Sequence, residues 1–255
     1  MTNVTKYLSL VNSYSQVHLK LEGEKLLLIL PEGDKSIIDW WSVVDELKCR
    51  LNGSDSSWKS GTRVELIANY ALEEKQLQGI AQALEEFKLK LKLVCTSNRQ
   101  TAIAAAGSGF SVQQEPHLET VVDSSQTQSQ ELAEPLYLKT TIRSGMEVRH
   151  PSTIVIWGDL NPGAKAIAAG DIFVWGRLRG IAHAGSGGDR SRHIVALKME
   201  PTQLRIADTL ARAPSANPER FEPEVAYIAT EGIRLAKAMD FFKTHSFSET
   251  LGAWR

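Results

Sequence analysis

The chain has 255 residues, room for one large domain or two of ordinary size, and its 29 basic and 30 acidic residues nearly cancel. That balance excludes a polyanion-binding footprint across the whole chain, so no nucleic-acid partner is expected. Hydrophobic residues make up 42%, enough for a real core, yet no apolar run reaches the ~20 residues that span a bilayer.

The opening residues, MTNVTKYLSL, lack a basic region followed by an apolar stretch, so no secretory signal is expected. Cys49 and Cys95 lie far apart, without a CxxC and without His at ligand spacing. They read as lone buried thiols in a reducing compartment; a cytoplasmic protein without a metal or cofactor is expected.

Residues 16–30 (QVHLKLEGEKLLLIL) alternate around Glu22-Gly23, as two strands joined by a tight turn would. Ser36 suits a helix cap before Ile37, Ile38, Trp41, Val44 and Leu47, which recur at helical spacing. On that helix Asp39, Asp45 and Glu46 read as a solvated face. Residues 63–68 (RVELIA) predict a strand. A second helix follows over 72–87, with Leu77, Ile80, Ala81 and Leu84 on one side. Residues 91–95 predict a further strand and 100–106 a short helix. Strands alternating with helices imply a small α/β layer domain over 1–110. Gly107 and Gly109 stand in no GxGxxG or GK[ST] pattern, so they indicate no phosphate site.

From 111 to 134 the text becomes rich in Ser, Gln, Glu and Thr and has no aromatics. Such a segment buries too little apolar surface to offset its ordering entropy, and it reads as a flexible polar linker.

Beyond it the texture changes to short strands and regular glycines. IVIWGDL at 154–160 returns eighteen residues later as IFVWGRL at 172–178, and LYLKTTI at 136–142 falls in the same phase. Three coils thus align at 136–153, 154–171 and 172–189. Every sixth residue is aliphatic: Leu136, Ile142, Val148, Ile154, Leu160, Ala166, Ile172, Leu178 and Ala184. Four residues after each comes a mostly small one, from Thr140 through Gly158 and Gly176 to Ala182 and Gly188, with Met146 the exception. Six residues make one short strand and a corner, and three such sides close a triangular turn. The pattern predicts a parallel β-helix over 135–240, each inward Ile or Leu contributing ~1.5–3 kcal/mol by burial. The fourth coil is displaced by four residues, so 185–190 should bulge outward. Residues 193–197, 204–207, 227–230 and 233–238 can supply closing sides, although 224–242 also fits a helix. The tail 241–255 receives no role from the sequence.

Alternation sends Tyr137, Lys139, Val155, Trp157, Phe173 and Trp175 outward. These aromatics either cap the core or form an apolar face covered by a second copy. Its size favours the second reading, a homodimer joined through Tyr137, Val155, Trp157, Phe173 and Trp175.

The six-residue beat is similar to that of hexapeptide-repeat acyltransferases, with His183 as the candidate base. In that family a small or acidic residue follows the aliphatic, whereas here Tyr137, Arg143, Arg149 and Phe173 do. A polymerising β-helix scaffold is a third reading, against which the N-terminal domain and linker argue. A closer match lies in Arg143-Ser144-Gly145, Gly163-Ala164, the run IAAGDIFVWG at 167–176, Leu178-Arg179-Gly180, Ala182, Ala184-Gly185 and Gly188-Asp189-Arg190. This resembles the signature of the MinC family of bacterial division-site inhibitors over about fifty residues.

The resemblance implies a right-handed β-helix that dimerises and binds the membrane ATPase MinD. It also implies an N-terminal domain that antagonises FtsZ polymers, with membrane contact only indirect, through MinD. By motif, MinD recognition falls on Arg143, Ser144 and Gly145, with Asp171 and Asp189 as further candidates. Gly23 occupies the hairpin where the family carries a glycine tied to FtsZ inhibition, and it equally serves the turn itself. Two positions depart from the pattern: Met146 replaces the motif Gln, and Ile181 replaces the second Arg of RGRA. Arg177 or Arg179 is the substitute contact for the FtsZ tail.

Overall fold

The computed structural model describes residues 16–31, 40–53, 58–115, 134–212 and 222–255. They fall into two compact units, Met1–His117 and Leu118–Arg255. Ser36, Ile37, Ile38, Asp39 and most of the expected linker lie outside the described residues.

In the first unit β1 (His18–Glu22) and β2 (Lys25–Ile29) form the expected antiparallel hairpin. Gly23 sits at its turn with φ +63, a left-handed conformation that favours glycine. Helix α1 spans Trp40–Gly53, β3 Arg63–Ile67, α2 Glu74–Glu86, β4 Lys90–Thr96, α3 Arg99–Gly107 and β5 Ser111–Gln114. Strands β2 to β5 run parallel, in the order β1-β2-β3-β4-β5. Local chemistry fixes the helix starts. The Gln76 side chain accepts from the Glu73 N–H at 2.8 Å, and Asn98 Oδ1 accepts from the Gln100 N–H at 2.9 Å.

Three readings of this unit need correction. The linker does not begin at residue 111, because Ser111–Gln114 is a strand paired with β4. Its polar letters hide one buried anchor, Val112, which alternation turns into the core. On α1 the buried stripe is Val43, Leu47 and Leu51, and Trp41 is 72% exposed. Nor are both thiols buried: Cys49 is exposed, whereas burial pushes the Cys95 thiol up to about 12.

The second unit opens with β6 (Leu136–Leu138), β7 (Glu147–His150), β8 (Ile154–Ile156), β9 (Lys165–Ala168), β10 (Ile172–Leu178), β11 (Ile181–Ala184), β12 (Ile194–Met199) and β13 (Gln203–Ile206). Its parallel ladders follow the repeat. Leu136, Ile154 and Ile172 are successive partners along β6-β8-β10, as Ile142, Leu160 and Leu178 are through isolated bridges. Glu147 pairs with Lys165 in a third ladder. The chain therefore returns to each ladder after eighteen residues. All nine sixth-position aliphatics have no exposed surface.

Gap-free alignment holds only as far as Leu178. On β11 it is Ile181 that pairs with Lys165, an offset of sixteen, so the corner at Gly180 is two residues short. Ala182 thus lies inward opposite Ala166, not at a corner. The next coil makes up the length, since Ile194 pairs with Ile172 and Gln203 with Ile181, both offsets of twenty-two. These shifts are even, which keeps inward side chains inward, and the one odd step, a bulge between Val174 and Arg177, still sets buried Leu178 against buried Met199. The expected displacement at 185–190 is thus present.

The ambiguous end of the chain is extended, not helical. Strand β14 (Thr209–Arg212) folds back on β13, and β15 (Glu224–Ala229) pairs with β12 and with β16 (Gly232–Lys237), all antiparallel. After them come a short helix, α4 (Phe241–Thr244), and the pair β17 (Phe247–Ser248) and β18 (Ala253–Trp254).

Corner glycines are steric necessities here. A Cβ on Gly158 would lie 2.7 Å from the Thr140 carbonyl oxygen, and the residue holds φ +153. Gly158→Ala should therefore destabilise the second unit by ~1–3 kcal/mol, read as a lower urea midpoint. An unchanged midpoint would contradict this packing.

Candidate functional site

Each coil presents faces and corners, and the candidate residues divide among them by their place in the repeat. Arg143, Ser144 and Gly145 form an exposed turn after the Ile142 bridge. Gly145 has φ +84, and its N–H donates to the Gly163 carbonyl of the next coil at 3.0 Å. Met146, where the resembling family carries Gln, is buried, and its Sδ accepts from the Arg143 N–H at 3.3 Å. It fastens the turn from beneath, so the substitution keeps the turn while removing a polar head group.

Arg143 stands in one column with Asn161 and Arg179, one coil apart each. Arg179 donates to Asn161 Oδ1 and approaches Asp159 Oδ2 at 3.4 Å. The Asp159 carboxylate also accepts from the Arg177 N–H at 2.8 Å, which orients the exposed corner carrying Arg177. The column joins Arg143 to Arg179 and offers guanidinium groups of the kind that form forked pairs with carboxylates.

Asp171 and Asp189 lie at a different corner, between the β9/β11 side and the β10/β12 side. Their oxygens serve the protein itself. Asp171 Oδ1 accepts from the His193 N–H at 2.9 Å. Asp189 accepts from the Ser191 N–H at 2.9 Å, the Ser191 hydroxyl at 2.6 Å and Arg192 Nε at 2.8 Å. These hydrogen bonds outweigh partial burial and hold the Asp189 carboxyl below its ordinary range. Both aspartates therefore act as corner formers, and the structure does not bring them to the Arg143 turn.

The outward face of the first side is as alternation predicts. Tyr137, Val155, Phe173 and Val195 are in register across four strands, each half-buried. Trp157 and Trp175 stack at 5.8 Å and remain 55% and 57% exposed. Lys139 borders this row, its ammonium 6.0 Å from the Tyr137 ring centroid. His183 lies on another side with Nε2 at 3.1 Å from the Ala207 carbonyl, and burial lowers its pKa.

Sequence reasoning missed the role of the tail. Phe241 is 1% exposed and packs with Val225 and Tyr227, while Val195 and Trp254 pack against that cluster. The displaced loop between β11 and β12 grips it: Arg190 Nε donates to the Gly252 carbonyl at 3.1 Å, and the Trp254 indole donates to the Ser191 carbonyl at 3.1 Å. His193 sits beneath, its Nδ1 3.1 Å from Asp171 and its ring edge-on to Phe173, Phe242 and Trp254. Four aromatic letters in fifteen residues were the available signal; nothing in the repeat said where they would dock.

Among the described residues no group of His, Cys, Asp or Glu has metal-site geometry, and no helix is long and apolar enough to cross a membrane. Residues 136–238 match the family described as septum formation inhibitor MinC, C-terminal domain. A probable septum site-determining protein MinC of Nostoc sp. is 49% identical over 237 residues, covering 91% of this chain and 64% of that protein. Its counterpart in Thermosynechococcus vestitus is 45% identical over 227 residues, covering 89% of this chain and 84% of that one. A solved structure, the MinC:MinD cell division protein complex of Aquifex aeolicus, matches at 44% identity with a TM-score of 0.39, covering 41% of this chain and 87% of that one.

Burial is the largest influence on His193 and, despite Asp171, holds its pKa below the ordinary 6.5. The unfolded chain then binds more protons than the folded one just below pH 6.5, so stability is complete above that pH and falls as acid is added. The urea midpoint should drop between pH 7.5 and 5.5, and His193→Gln should shrink that drop, His183 supplying the remainder. An identical drop in the variant would contradict the assignment.

Proposed function

The chain belongs to the MinC family of septum site-determining proteins, and on that premise we propose that it inhibits division septum formation as a non-enzymatic homodimer. The chain spans 64% of the length of its Nostoc relative, so activity and partners are assigned by this reading. In it, the second unit is a right-handed triangular β-helix. Parallel ladders that recur every eighteen residues support the coil, and the family resemblance supports its hand.

The division of labour follows the two units. The N-terminal domain, now extending through Gln114, destabilises FtsZ polymers, with Gly23 shaping the hairpin that meets them. A polar linker then separates it from the β-helix domain, which includes the tail. MinD recruits the cytoplasmic dimer to the inner membrane, and the chain touches lipid only through that partner. The observation that carries the MinD assignment is the exposed Arg143-Ser144-Gly145 turn, held by Gly163 above and Met146 beneath. Arg177 and Arg179 lie along the same side of the coil and take the FtsZ tail, whose acceptors would be carboxylates. Asp171 and Asp189 contribute by holding their corner. The outward Trp157 and Trp175 join the two copies.

One mixture tests the reading: the full chain with FtsZ polymers and with vesicles carrying MinD. The chain should lower the FtsZ that pellets and should itself pellet with MinD vesicles. Arg143→Ala should weaken the MinD pelleting about tenfold or more, as for a lost charged contact, and leave the dimer intact. Unchanged FtsZ pelleting at stoichiometric excess would defeat the inhibitor reading, and undiminished pelleting of the variant would defeat the site.

A further inference from the structure

The tail beyond residue 238 lies outside the matched family region, yet it is firmly built into the second unit. Arg190 anchors it at Gly252 and pairs with Asp208 at 3.0 Å, and both Arg190 and Ser191 come from the displaced loop. The extra length of that loop is thus used to hold the tail. Docked, the tail sets Phe241 with Val225 and Tyr227 in the cluster against which Val195 packs, the last member of the outward row Tyr137, Val155, Phe173 and Val195. It also puts a new ring on the surface. Phe242 is 63% exposed and lies 5.4 Å from His193, which in turn lies 5.8 Å from Phe173.

We propose that Phe242 extends the self-pairing face, so that a second copy of this chain closes over Trp157, Trp175 and the tail ring together. This rests on the homodimer reading above. Charge argues for a second copy over another partner. A twofold interface sets the same patch against itself, and like charges within it would repel. Of the outward residues from Tyr137 to Val195 and from Lys139 to Trp175 only Lys139 is ionised, at the outer end of its row, and beside Phe242 the exposed Lys243 and Asp240 neutralise each other at 3.4 Å. Continuity argues the same way: the chain of rings runs unbroken from Phe173 through His193 and Phe242 to Trp254. The tail thereby selects copies that carry it, because a tailless face would leave Phe242 in water.

The test is sedimentation equilibrium of the full chain beside Phe242→Glu and Trp175→Asp. Phe242 is exposed, so its replacement should leave folding intact, checked by an unchanged urea midpoint. The dissociation constant of the Phe242→Glu dimer should rise about tenfold or more, as for an interface anchor, while Trp175→Asp becomes monomeric. If Phe242→Glu pairs as tightly as the parent and Trp175→Asp is monomeric, the tail inference is overturned and the dimer face stands. If Trp175→Asp still pairs, both fall. A Phe242→Glu chain that pairs normally but no longer pellets with phosphatidylglycerol vesicles, where the parent does, would reassign the ring to lipid and likewise overturn the inference.

Discussion

One constraint governs the second unit: an aliphatic side chain from every sixth position must enter a core with no solvent access. The constraint is met coil upon coil, each rung covering the one below, so no single coil is stable by itself. It also restricts every irregularity. The short corner at Gly180 removes two residues and the loop beyond Gly185 adds six, a net gain of four, and both changes preserve the inward phase. Corners crowd so closely that a methyl group on Gly176 would collide with the Gly158 carbonyl. The core thus determines which residues the outside can use.

That outside is sorted by position in the repeat. The first side presents rings with Lys139 as their one charge, the column of Arg143, Asn161 and Arg179 presents guanidinium groups, and the corner of Asp171 and Asp189 turns its carboxylates back on the protein. Partner contact and self-pairing can therefore occupy separate parts of one rigid object. The tail adds to the apolar side, and its docking ties that side to the state of His193.

What could be read from the sequence follows from how local each signal was. The period of eighteen was legible because Ile, Trp and Gly recur in phase with no insertion between 136 and 178. The slip at Gly180 was not, because Ala182 and Ala184 are both small and either fits the ladder. Val112 was lost among glutamines, although one buried residue sufficed for a strand that β4 already templated. Trp41 was assigned inward by spacing alone, whereas Val43, Leu47 and Leu51 are the residues that helix buries. The candidate turn at Arg143 came from the family resemblance; its exposure, and the sulfur of Met146 beneath it, came only from the fold. Tail docking depends on contacts across some sixty residues, such as Trp254 with Ser191, which no local pattern encodes.

The central claim is that the coil of eighteen is the structural unit. Deleting residues 154–171 removes one complete coil and should bring Ile142 beside Leu178, with the Arg177 carbonyl replacing that of Asp159 as acceptor for the Ile142 amide. Deleting 155–171 removes one residue fewer and puts the ladder out of phase. Amide hydrogen exchange at Ile142 is the direct readout. The account predicts strong protection in the first deletion and its loss in the second. Equal protection in the two would contradict it.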